Sequence, residues 1–180
     1  EGLDEALAGV DAAYYLIHAM GGGEGFEERD RRGARNFAQA AEGAGVDRVI
    51  YLSGLGVDRD DLSAHLRSRR EVEAVLGRGD YDLTVLRAAI IVGDGSASFR
   101  IVRQLSSRLP VMVTPRWVRT RVQPIAISDV VAYLVGVLEE PETAGETYEI
   151  GGPEVLTYRE MLVTVGRILT GRKPVIVPVP

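Results

Sequence analysis

His65, Arg69 and Glu73 follow one another at intervals of four residues in this 180-residue sequence. That spacing puts all three on one side of a helix. Between about Leu62 and Leu76, the apolar residues Leu62, Leu66, Val72 and Leu76 define the buried arc of such a helix, and the trio falls inside it. Burying an imidazole and a guanidinium is unfavourable unless they are paired or line a cleft. Two readings follow: an Arg69–Glu73 ion pair with His65 packed beside it, or a helix that flanks an open site and aims these groups into it. In the second reading a histidine can exchange protons near neutral pH, and an arginine is a permanent cation. Ser53 ends the strand before this helix and is a hydrogen-bond donor or simply a cap on the turn at Gly54. No G-x-S-x-G surrounds it, so a nucleophile elbow is not supported. His18 ends another strand and reads as structural or as a ligand. Arg116, Arg119 and Arg121 cluster closely enough to hold an anionic substrate, or to be ordinary solvated surface.

The elements that must carry these groups alternate in period. Apolar runs at Ala12–His18, Arg48–Ser53 and Tyr81–Val92 predict buried strands. Helices are predicted at about Phe26–Ala44, Leu62–Leu76 and Phe99–Leu109. The first shows an inward stripe of Ala34, Phe37, Ala38 and Ala41, with acidic residues in its opening turns suiting the helix dipole. Pro115 and Pro124 break up 111–125. Ser128 is expected to cap a helix whose Val131, Leu134, Val135 and Leu138 share a face, and Thr157-x-x-Glu160 reads as a capping box. Tyr148–Ile150 and the stretch from Val175 read as strands. Strands alternating with long helices imply parallel β-α-β units, hence an α/β fold in which ligands bind at the carboxyl ends of strands. A chain opening in one element and closing in another is expected to be a fragment.

Composition narrows the function. Twenty-one Lys+Arg against 26 Asp+Glu give a net charge of −5, which argues against a nucleic-acid partner. No apolar run is long enough for a membrane span, and no signal peptide is visible, so a cytoplasmic protein is expected. There are no cysteines and only two histidines, His18 and His65, which disfavours a metal site. Gly93-Asp-Gly95-Ser-Ala-Ser98 nearly fits a dinucleotide fingerprint, but serine replaces the third glycine and no acid lies between Pro110 and Ser128. It reads as a turn.

Four segments taken in order resemble the atypical, extended-type branch of the short-chain dehydrogenase/reductase superfamily, in particular its NAD(P)H-binding, epimerase/dehydratase-like proteins. They are Tyr14-Tyr-Leu-Ile-His-Ala-Met20, Val49-Ile-Tyr-Leu-Ser53, Leu86-Arg-Ala-Ala-Ile-Ile-Val-Gly93, and Gln123-Pro-Ile-Ala-Ile-Ser-Asp-Val130 followed by Gly151-Gly-Pro153. The resemblance implies a Rossmann-like, doubly wound parallel sheet, truncated at its N-terminus, with residues 1–110 in the cofactor-binding domain and 111–180 including a partial substrate lobe. It implies an oxidoreductase or epimerase-like protein that binds NAD(P)(H) and a small-molecule substrate, or a catalytically silent relative that senses the cofactor or serves assembly. The family's Tyr-x-x-x-Lys pair falls on His65-Leu-Arg-Ser-Arg69, and Ala88 and Val92 replace a proline and a tyrosine. By resemblance His65 is the proton carrier, Arg69 the cation beside ribose or substrate, and Ser53 the donor to a carbonyl. His18, Ala19 and Met20 with Ala88, Ala89, Ile90 and Ile91 then contact the cofactor, and Arg119 and Arg121 the substrate. The residue that selects NAD(H) or NADP(H) is placed by the resemblance before Glu1, as is the pyrophosphate-binding turn.

Overall fold

A computed structural model describes residues 2–19, 25–56, 63–93, 95–109 and 111–179. Its helices are α1 (Gly2–Leu7), α2 (Phe26–Ala44), α3 (Ala64–Leu76), α4 (Ala97–Arg108), α5 (Ile127–Glu139) and α6 (Tyr158–Thr170). The strands are β1 (Ala12–Tyr15), β2 (Arg48–Gly54), β3 (Asp82–Ala88), β4 (Ile91–Val92), β5 (Val111–Thr114), β6 (Arg121–Val122), β7 (Ile125–Ala126), β8 (Thr147–Ile150), β9 (Leu156–Thr157) and β10 (Val175–Pro178). Contacts divide the chain into two compact units, Glu1–Ala88 with Val131–Ile150, and Ala89–Val130 with Gly151–Pro180.

The first unit holds a parallel sheet in the order β1-β2-β3-β8. Alternation along each strand sends Ala13, Tyr15, Val49, Tyr51 and Val85 to one face, where they meet Ala34, Phe37, Ala38 and Ala41 of α2 and Val72 and Leu76 of α3. The Tyr15 ring lies 5.0 Å from Phe37 and 5.7 Å from Tyr51. On the opposite face the Tyr14 hydroxyl donates to the Leu134 carbonyl of α5 at 3.0 Å, and Thr84 donates to the Thr143 carbonyl at 2.8 Å. Helices therefore cover both faces, as in a doubly wound Rossmann-like sheet. The predicted stripe of α2 is buried as expected, and the helix stops at Gly45, whose φ of 72° lets its amide turn back onto Ala41 and Glu42.

The second unit is made of short pairs: β4 with β7, β5 with β10, and β6 with β9. Its core joins Val102, Met112, Val118, Met161, Leu162 and Ile176. The capping box forms as read: Thr157 N–H donates to Glu160 Oε2 at 2.7 Å, and Glu160 N–H to Thr157 Oγ1 at 3.1 Å.

Two expectations need correction. The β1 ladder ends at Tyr15 opposite Tyr51, well before His18. Helix α5 starts at Ile127, so Ser128 lies inside it and donates to Asp129 instead of capping. The shared face of Val131, Leu134, Val135 and Leu138 on α5 is mostly open to solvent, with Leu134 half-buried and the other three exposed, whereas Val130 and Val137 are buried. This helix is apolar nearly all round, and periodicity has no contrast with which to choose a side.

Candidate functional site

Parallel strands in register finish side by side, so the end of β2 sets Ser53 and Gly54 against Arg87 and Ala88 of β3. Ser53 points to the α2–α3 face, as Tyr51 does two residues earlier. There it meets α3. Its Oγ donates to Glu73 Oε1 at 2.6 Å. Arg70 Nη1 reaches the same oxygen at 2.6 Å, and Arg87 Nη2 donates to Oε2 at 2.7 Å, with its Nε 3.3 Å from both. Side-chain exposure is 11% for Glu73, 15% for Arg70 and 18% for Arg87, so the network is largely out of water. Arg70 also donates to the carbonyls of Gly54 and Gly56, tying down the chain that leaves β2.

Arg69 lies one residue away on α3. Its Nη1 donates to the Leu52 carbonyl at 3.3 Å, and its charge acts on the Tyr51 phenol. Burial raises the Tyr51 pKa, against the opposing pull of the Arg69 charge and of hydrogen bonding with Ser53 and Arg69. At the exposed start of α3 the His65 ring stacks on Phe26 of α2, with centroids 4.7 Å apart. His18, beyond the end of β1, has its pKa lowered first by burial, then by the Arg69 charge; Asp30 pulls it up, and His65 pushes it down. The Asp30 contacts with Ala19 and Ser68 and the Phe26–His65 ring contact bring residues 18, 30, 65 and 69 into one neighbourhood at the strand tips.

Asp30 completes the rim. Its Oδ1 accepts the Ala19 N–H at 2.6 Å, and its Oδ2 accepts the Ser68 hydroxyl at 2.9 Å. Ser68 is only 2% exposed. Tyr15, on the same face, has its pKa pushed up to about 12 by burial, with Tyr51 and Asp30 adding to the shift.

Of the residues expected to form the site, His18, Ala19, Ser53, His65 and Arg69 lie together in the first unit. Ala88 belongs there too; it is buried, and its carbonyl accepts the Leu55 N–H at 2.7 Å. Met20 lies outside the described residues. Ala89, Ile90, Ile91, Arg119 and Arg121 fall in the second unit, where Ile90 accepts the Ile125 N–H and both arginines are exposed. Neither sequence-based reading of the trio holds whole. Glu73 pairs with Arg70 and Arg87, and His65 is exposed. The sequence reading missed Asp30, Arg70 and Arg87. Asp30 had a signal: with Ala34, Phe37 and Ala41 it continues the apolar stripe of α2, where a carboxylate must find donors. Among the described residues, no group of three or more His, Asp or Glu could hold a metal ion, and no helix is long and apolar enough to cross a membrane.

The family comparison decides the class, since the match to the NAD(P)H-binding family runs over residues 1–141. The chain belongs to that family. A curated relative, the (4-alkanoyl-5-oxo-2,5-dihydrofuran-3-yl)methyl phosphate reductase of Streptomyces griseus subsp. griseus, is 30% identical over 175 residues, 93% of this chain and 55% of the relative. The mitochondrial NADH dehydrogenase (ubiquinone) 1 alpha subcomplex subunit 9 of Dictyostelium discoideum is 30% identical over 118 residues, 65% of this chain and 33% of that protein. The triphenylmethane reductase of Citrobacter sp., solved with NADP(H), superposes with a TM-score of 0.76 at 20% identity, covering 99% of this chain and 59% of its own; at that identity the likeness is one of fold. The chain thus spans between a third and about half the length of these two curated relatives. The NAD(P)H-binding family and the fold agree with an atypical extended short-chain dehydrogenase/reductase.

Proposed function

We propose that this chain carries the nicotinamide-side part of an NAD(P)(H)-dependent oxidoreductase or epimerase-like site acting on a small carbonyl or hydroxyl substrate. The convergence of the His18–Ala19 backbone, His65 and Arg69 at the tips of β1 and β2 carries the reading, because that is where an open α/β sheet binds ligands. The groups present suit the ribose and nicotinamide end of the cofactor: a guanidinium that is always charged, an exposed imidazole, and the backbone after β1. In the Gly93–Gly95 turn the Ser96 hydroxyl already caps α4, accepting from Phe99 N–H and donating to the Ile91 carbonyl. In this proposal residues 1–110 serve the cofactor, and 111–180 include part of a substrate lobe.

When bound, NAD(P)(H) supplies or accepts the hydride. An imidazole nitrogen of His65 donates a proton to the substrate oxygen in reduction and takes it back in oxidation. Arg69 holds a ribose or substrate oxygen by charge and hydrogen bond and moves no proton. Ser53 leaves Glu73 to donate to the substrate carbonyl. Ala19 and the segments His18–Met20 and Ala88–Ile91 contact the cofactor through backbone, while Arg119 and Arg121 hold an anionic part of the substrate. A cytoplasmic location belongs to the same proposal.

One observation favours a second reading, a silent binder with a sensing or assembly role. Ser53 is 4% exposed, and its proton is committed to a carboxylate gripped by two arginines. Steady-state turnover of the complete protein with NADH and NADPH over a carbonyl panel separates the two. The first reading expects turnover that falls about a hundredfold in His65→Ala. Unchanged turnover in that variant removes His65 from the mechanism, and cofactor binding without any hydride transfer establishes the second reading.

A further inference from the structure

We propose that Asp30 is the positioning residue of this site: its carboxylate ties the backbone after β1 to α3 and so fixes His18 and Ala19 relative to His65 and Arg69. The tie has two arms. One oxygen takes the Ala19 N–H at 2.6 Å, and the other takes the Ser68 hydroxyl at 2.9 Å. Ser68 is buried and sits between His65 and Arg69 in the sequence of α3, three residues after the first and one before the second. The Ala19 amide is the last described backbone donor before the glycine-rich segment Gly21–Gly25. A carboxylate on the inward stripe of α2 is unfavourable there unless its acceptors are filled, and both are. One side chain thus joins three segments whose candidate residues must keep a common geometry. A displacement of about an ångström at such a site is enough to weaken function severely. Asp30 also acts on His18 by charge, opposing Arg69 and His65.

The effect on cofactor rests on the oxidoreductase reading; the tie itself is readable without cofactor. The test compares Asp30→Ala, Asp30→Asn and Ser68→Ala in the complete protein. Three quantities are read: hydrogen exchange of the Ala19 amide, the NMR titration of His18, and calorimetric affinity for NADH and NADPH. Asp30→Ala removes both arms, so Ala19 exchanges about tenfold faster and affinity falls by about tenfold. In Asp30→Asn the carbonyl oxygen still accepts from Ala19, and the amide NH2 donates to the Ser68 oxygen, since a hydroxyl accepts as well as donates. Its affinity stays within about threefold of the parent. In both variants the His18 pKa drops further because the carboxylate charge is gone. Equal losses in Asp30→Asn and Asp30→Ala would assign the effect to charge and overturn the positioning role, as would an unaltered Ala19 amide in Asp30→Ala. If Asp30→Ala does not fold, Ser68→Ala against Asp30→Asn decides: the tie predicts a loss of affinity in the former alone. If the parent protein binds neither cofactor, the oxidoreductase reading fails, and the Ala19 and His18 measurements still decide the tie.

Discussion

Two carboxylates face the same end of the sheet, and their surroundings differ. Glu73 is gripped by Arg70, Arg87 and Ser53, with only 11% of its side chain in contact with solvent. Asp30 is satisfied by one amide and one hydroxyl, and the groups around it include the partly desolvated His18 and the exposed His65. The inner cluster is closed: two of its three donors to Glu73 are charged, and together they leave Glu73 little freedom to move. The outer one uses neutral donors, holds its neighbours in place, and leaves two imidazoles within reach of a ligand. On the proposed reading, stability rests on the inner cluster around Glu73 of α3, and function on the outer one, which Asp30 of α2 ties to Ser68 of α3.

Breaking the inner cluster gives the largest expected effect. Glu73→Ala leaves Arg70 and Arg87 buried without that carboxylate and lowers unfolding free energy by about 3–5 kcal/mol in a urea titration. A loss below 1 kcal/mol would mean the cluster is far more hydrated than its exposure implies. Next comes the alkaline limb of stability. The Tyr15 pKa is pushed up to about 12, so below about pH 10 neither folded nor unfolded phenol is ionised and the contribution is complete. Between pH 10 and about 12 only the unfolded chain releases this proton, and stability falls as pH rises. Tyr81, also pushed up to about 12 by burial, adds to the same limb. Tyr15→Phe flattens the decline between pH 10 and 12 without changing its sign, as read by denaturant midpoints across that range.

Tyr81→Phe sharpens the comparison in a different way. Its buried hydroxyl has no hydrogen-bond partner among the described residues, so removing it leaves stability at neutral pH unchanged or raises it by up to about 1 kcal/mol. The smallest effect belongs to the exposed pairs of Arg31 with Glu28 and Glu71, at 2.7 and 2.6 Å. Glu71→Gln leaves the melting temperature at physiological salt where it was, since water and ions screen such pairs.

Much of this arrangement is legible in sequence. The stripe of α2, the strand that carries Ser53 near its end, the helix α3 and the Thr157–Glu160 box each depend on residues close in the chain, and each appears in place. What escapes local reading depends on register. Arg87 meets Glu73 because β3 ends beside β2, and β10 pairs with β5 although the two are far apart in sequence. A helical wheel places Arg69 over Glu73 but cannot see the strand that draws Glu73 toward Arg70 and Arg87. The facing of α5 is illegible for a different reason, because apolar residues occupy nearly its whole circumference.

The claim that the cofactor's reactive end lies at the tips of β1 and β2 is tested most directly by hydrogen–deuterium exchange on the complete protein with and without saturating NADPH or NADH. The account predicts slower exchange in the backbone of residues 16–19 and 63–70 when cofactor is present. Cofactor binding that leaves both segments exchanging at their original rates would contradict it.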